Sequence, residues 1–115
     1  MAAEARLTSA MLVGALRRRV AAAGGFATIL VKGDEISGVI LVQTQKKGRE
    51  SGLFERVSNF AGGHALMRCG PSVEEGPEAL ANYVARRRRS DPDLWIIELD
   101  IAEAERFAVE TLCDR

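Results

Sequence analysis

Ile36-Ser37-Gly38-Val39-Ile40-Leu41-Val42-Gln43-Thr44 is the stretch on which the fold turns. Successive side chains of a strand point to opposite faces, so Val39 and Leu41 project one way and Ile40 and Val42 the other. A strand with one wet face alternates apolar and polar residues, whereas this one is apolar on both. It is therefore expected at the centre of a sheet, with cover above and below. Asp93–Asp100 carries the same signature: Trp95, Ile97 and Leu99 share one face, Leu94 and Ile96 the other.

Upstream, Phe26–Lys32 is a second β-rich run, joined to 36–44 by Gly33-Asp34-Glu35. Glycine reaches positive φ cheaply and aspartate tolerates turn geometry, which predicts a hairpin between the two runs. Downstream, the polar, glycine-bearing Lys46–Gly52 reads as an exposed loop. Leu53–Phe60 and His64–Cys69 are weaker strand candidates around the Gly62-Gly63 turn.

Residues 8–23 have helical spacing. Leu12, Leu16, Val20 and Ala23 form a stripe, with Val13 at its edge and Arg18 opposite. Thr8 is the expected N-cap, Leu7 and Leu12 occupy the positions of a hydrophobic staple, and Gly24-Gly25 ends the helix. Ser72-Val73-Glu74-Glu75 matches a capping box, but a helix begun there would hold Pro77 inside, its ring against the Val73 carbonyl. Starting at Pro77 removes the conflict. Leu80, Tyr83 and Val84 then form the buried stripe, Arg86–Arg89 fill the last turn, and Ser90-Asp91-Pro92 stops the helix. In Ala102–Leu112, alanine and glutamate favour helix while Phe107 and Val109 alternate as on an edge strand; a short helix is expected.

The reading is one domain over residues 1–115 of α+β class. Its sheet has about five strands, mostly antiparallel, in the order α-β-β-β-β-α-β plus a short C-terminal helix, packed as two layers. Two firm helices are few for two central strands. Either a helix crosses over, the tail folds back, or a second copy supplies cover, and a homodimer is expected.

At 47% hydrophobic the chain can bury a core without disulfides or metal. Sixteen basic and sixteen acidic residues cancel, leaving no global field to steer nucleic acid. Only Cys69 and Cys113 are present, fewer than a secreted domain of this size normally carries, so a cytoplasmic location is expected. Met1–Arg6 lacks the pattern of a secretion signal, and no apolar run reaches membrane-span length.

Two stretches resemble an alphaproteobacterial family, domain-of-unknown-function family 1491. The first comprises Arg6-Leu7-Thr8-Ser9, Leu16-Arg17-Arg18-Arg19-Val20 and Ala22-Ala23-Gly24-Gly25-Phe26-Ala27. The second is Arg88-Arg89-Ser90-Asp91-Pro92-Asp93-Leu94-Trp95-Ile96-Ile97-Glu98, of which Asp-Pro-Asp-Leu-Trp is the most specific part. The resemblance implies bacterial origin and a cytoplasmic location. It brings no activity, ligand or catalytic residues.

The arginines are the first candidate surface. Arg17, Arg18 and Arg19 lie near the end of the first helix, and Arg86, Arg87, Arg88 and Arg89 near the end of the second. Were those ends adjacent, their guanidinium forks would suit phosphate or carboxylate. The plainer reading is favoured: cations in a last turn answer the helix dipole, and Asp91, Asp93, Glu98 and Asp100 are available as ion-pair partners. Asp91, Asp93 and Trp95 form the second candidate, an acid–base or metal pair beside an aromatic platform. Here too the plainer reading leads, with Asp91 starting a turn, Asp93 pairing with a helix arginine and Trp95 anchoring the core.

His64 is the only histidine, and five residues along a strand from Cys69 it points to the opposite face, so no metal or cofactor is expected. A nucleophilic Ser58 or Cys69 would need His64 as base with a carboxylate behind it, and no recognised spacing supports this. The glycine pairs lack the context of a phosphate loop. The few aromatics weigh against single-stranded nucleic acid as partner. The leading expectation is a non-enzymatic, homodimeric interaction module of the cytosol. A phosphate or nucleic-acid binder using the helix-end arginines is the alternative, and an enzyme with a site at Asp91, Asp93 and His64 comes third.

Overall fold

The structure, a computed structural model, describes residues 7–46, 49–59 and 61–113. Met1–Arg6, read above for a secretion signal, lies outside them, as do the tip of the expected 46–52 loop and Phe60. The elements are α1 (Ser9–Ala22), β1 (Phe26–Val31), β2 (Ile40–Lys46), β3 (Arg49–Ser58), β4 (His64–Arg68), α2 (Pro77–Ser90), β5 (Trp95–Asp100) and α3 (Ala104–Leu112). The α+β class, the mostly antiparallel five-stranded sheet and the short C-terminal helix follow the expectation.

Strand order departs from it. The sheet runs β1-β5-β2-β3-β4, with β5 antiparallel to β1 and parallel to β2. The expected hairpin between the two early runs is split, and β5 occupies the gap. The physical reason lies in β5 itself. Leu94, Trp95, Ile96, Ile97 and Leu99 are all buried, and only a central position gives such a strand cover on both faces. β1, whose alternate residues are exposed, takes the edge. The expected 46–52 loop shrinks as well, because β2 reaches Lys46 and β3 starts at Arg49.

Residues 33–38 form a clasp around the entry to β5. Asp34 N–H donates to the Asp93 carbonyl at 2.9 Å, and Trp95 Nε1 donates to the Asp34 carbonyl at 2.7 Å. A Cβ on either Gly33 or Gly38 would fall 2.2 Å from the Asp93 oxygen, so both positions require glycine for close approach. The Asp34 carboxylate accepts from the backbone N–H of Ile36 and Ser37 and holds the loop's turn. The same loop receives α1: Ser9 N–H and Ala10 N–H donate to the Ile36 and Glu35 carbonyls, and Ser9 Oγ donates to Gly38.

Thr8 caps α1 through Oγ1, which accepts from Met11 N–H at 3.1 Å. The expected staple does not close. Leu12 turns into the core while Leu7 stays exposed, and the loop carbonyls fix the entry of the helix instead. Ala23, placed on the stripe, lies past the last turn and is exposed. The 72–75 capping-box segment forms a separate 3-10 turn, Val73–Glu75, with Ser72 N–H donating to the Glu75 carboxylate. α2 then begins at Pro77, as its ring chemistry dictates.

One face of the sheet packs Ile40, Val42, Trp95, Ile97 and Leu99 under α1 and α3, which contribute Leu12, Val13, Leu16, Val20, Ala104, Ala108 and Leu112. The other packs Leu41, Leu53, Leu94 and Ile96 against Leu80, Tyr83 and Val84 of α2. Helices on both faces add a third layer to the two expected, and one chain thereby supplies all the cover its central strands need. The need for a second copy as a lid is removed.

Candidate functional site

The two arginine runs do not meet. α1 and α2 sit on opposite faces of the sheet, so Arg17 and Arg18 share no surface with Arg86–Arg89. Nor are the partners the expected acids. Arg19 binds Glu110 at 2.9 Å and Thr111 Oγ1 at 3.0 Å, tying the end of α1 to α3. Glu98 accepts instead from the Gln43 and Gln45 side-chain amides.

On the α2 face, Arg87 belongs to a half-buried polar network. Its Nη1 donates to Glu55 at 3.0 Å and to the Tyr83 hydroxyl at 2.8 Å, and the Cys69 thiol lies beside that hydroxyl. The Glu55 hydrogen bond raises the guanidinium above its usual range. Burial pushes both the Tyr83 phenol and the Cys69 thiol up, so the thiol stays protonated and sluggish as a nucleophile. Arg86 lies over the Tyr83 ring, 5.8 Å from its centroid.

Trp95 is not a platform. It is buried on the α1 face, away from Asp91 and α2, with its indole N–H spent on Asp34. Asp91 caps the end of α2, and its Oδ1 accepts from Asp93 N–H at 3.1 Å, the turn role expected. Asp93, by contrast, forms no ion pair with an arginine among the described residues; its backbone carbonyl, inside the clasp, carries its structural part. His64 opens β4, opposite Ser58 in the ladder. No cluster of three or more His, Cys, Asp or Glu with metal-holding geometry occurs among the described residues.

What the fold does assemble is a groove of about 420 Å³ between the end of β1 and the end of α2, lined by Val31, Lys32, Ala85, Arg88, Arg89, Asp91, Pro92 and Leu94. Arg88, Arg89 and Asp91 were among the residues singled out from sequence. Lys32 and the apolar floor were not, because a 26–44 hairpin puts β2, rather than the 91–94 segment, beside Lys32. Next to the groove runs the outer edge of β1, with Phe26 at 73% and Leu30 at 47% exposure. Leu7, Met11 and Ile36 form a separate exposed apolar set where α1 enters the clasp.

A split hairpin filled by a parallel strand, with two helices on one face and one on the other, defines a small α+β protein whose described residues form no recognisable catalytic constellation. The chain belongs to the DUF1491 family, described as proteins of unknown function, whose model matches residues 7–109, including the middle of the chain. The crystal structure of a DUF1491 family protein from Caulobacter crescentus CB15 is similar at 32% identity and TM-score 0.76, covering 89% of this chain and 94% of that one. An NMR structure of a DUF1491 family protein from the same organism gives 29% identity and TM-score 0.73 over 90% and 94%. The solution structure of protein Atu0922 from A. tumefaciens gives 35% and 0.66 over 86% and 89%. No curated protein matches. Among the described residues no helix is long and apolar enough to cross a membrane.

Proposed function

We propose that this chain is a single-domain, non-enzymatic interaction module of the cytoplasm that self-associates through the outer edge of β1. The observation that carries the reading is the edge itself: Phe26-Ala27-Thr28-Ile29-Leu30-Val31 is uncharged, β-prone and, among the described residues, without a strand on its outer side. Antiparallel pairing about a two-fold axis at Thr28 sets Phe26 opposite Leu30 of the partner subunit, so one pattern serves both copies. Cys69 and Cys113 lie on opposite faces of the sheet and share no disulfide, which supports a reducing compartment.

Light scattering across micromolar concentrations tests the reading. The expected result is a dimer that reverts to monomer in the Phe26→Asp/Leu30→Asp variant, whose altered side chains are exposed and leave the core intact. The Leu7→Asp/Met11→Asp variant, altered at the other apolar set, should remain dimeric. A monomeric native protein, or an edge variant that still dimerises, overturns it.

A further inference from the structure

We infer that the groove between β1 and α2 is a binding site for a small phosphate monoester with an apolar body. Three cations, Lys32, Arg88 and Arg89, line it beside one carboxylate, Asp91. Their sum, 3 − 1 = +2, matches the roughly −1.5 to −2 charge of a phosphate monoester near neutral pH. The negative end of the α2 dipole lies alongside and offsets part of that field, which makes two guanidiniums at this end necessary rather than redundant.

These cations are not consumed within the fold. Among the described residues Arg88 and Arg89 have neither ion pair nor side-chain hydrogen bond, in contrast to Arg19 and Arg87. The one ion pair of Lys32, to Glu35 at 3.8 Å, joins side chains about 70% exposed and is weak. One Asp91 oxygen is already engaged by Asp93 N–H. Guanidinium forks fit phosphate oxygens, and Val31, Ala85, Pro92 and Leu94 give an apolar floor for the rest of the ligand. The volume is within the range of small-molecule sites.

One side of the groove is rigidly built. Its walls come from residues 31–32 and from 85–94, and the clasp locks the 31–32 strand end to the 91–94 segment. Asp34 N–H holds the Asp93 carbonyl, while Gly33 and Gly38 admit it at a distance no side chain would allow. Lys32 precedes one half of this clasp and Asp91-Pro92 the other, so the backbone carrying Lys32 and Asp91 is set before any ligand arrives, and the exposed Arg88 and Arg89 side chains close onto it from α2.

Titrating the native protein with phenyl phosphate, monitored by amide chemical shifts, tests the site. The expected result is saturable shifts at Lys32, Ala85 and Leu94, with weaker binding of inorganic phosphate and of phenol. Arg88→Gln/Arg89→Gln should weaken phenyl phosphate by roughly tenfold or more, as loss of charge-assisted pairs implies, while its melting temperature stays native. Absence of shifts in the groove, or affinity unchanged in that variant, overturns the inference. So does binding of a single-stranded oligonucleotide through the groove without any response to phenyl phosphate. The readout is local to the groove and to Arg88 and Arg89, whereas the β1-edge reading is read as a mass, so the failure of one is told apart from the failure of the other.

Discussion

The two faces of the sheet are held in different ways. Under α1 and α3 lies a continuous apolar layer, to which α1 gives four buried residues and α3 three. Under α2 the apolar cluster has only four buried members, Leu41, Leu53, Leu94 and Ile96, no residue of α2 is buried outright, and a polar network of Glu55, Arg87 and Tyr83, with Cys69 beside it, shares the interface. Aliphatic burial is worth about 1.5–3 kcal/mol per fully covered side chain, whereas an ion pair still open to solvent is worth about 1 or less. Stability is therefore concentrated on the α1/α3 face, and the α2 face, which carries the groove, is left looser. Binding surfaces are commonly drawn from such low-stability regions.

The largest break in this comparison should come from truncating one leucine on each face. Leu16, fully buried, becomes a cavity in Leu16→Ala at a cost of about 2–5 kcal/mol by denaturant unfolding. Leu80→Ala, where burial is partial, should cost about 1–2 kcal/mol. Equal losses would mean that α2 is as firmly packed as α1. A smaller, more local effect is expected from Arg87→Met, which strands Glu55 and frees the Tyr83 hydroxyl. Side chains about a quarter exposed limit the global loss to about 1 kcal/mol. Amide exchange in α2 and alkylation of Cys69 should nevertheless speed up while α1 amides stay protected; uniform acceleration would count against a separately opening face.

The smallest effect concerns the clasp that joins the two faces. Backbone N–H donation from Ser37 and Ile36 holds the Asp34 carboxyl below its usual pKa. A group depressed in the folded state stabilises above its unfolded pKa and loses that contribution as pH falls through the folded one. Asp34→Asn keeps an acceptor but cannot titrate, so the acid limb of the stability curve should be slightly flatter, with melting near neutral pH little changed. An unaltered acid limb would show that this turn plays no part in acid unfolding.

Much of the fold was readable in the residues. Side-chain periodicity placed Val39–Val42 and Leu94–Ile97 between two covered faces, and the chemistry of Thr8, Gly24 and Pro77 set helix ends to within a residue or so. The site was readable only in fragments. Arg88, Arg89 and Asp91 stood out as unusual, but nothing local announced Lys32, because its neighbour across the sheet comes from a segment about sixty residues away.

That division has a physical cause. Periodicity, capping and ring geometry act over a few residues, so they are written in order along the chain: which strands are apolar on both sides and where helices begin. Strand order is a competition among all strands for the centre of one sheet. β5 won the place next to β2 because the five apolar side chains between Leu94 and Leu99 lose more by exposure than a short hairpin gains by closing early. Only when that competition was resolved did Lys32 meet Arg88, Arg89 and Asp91, and only then did β1 become an edge.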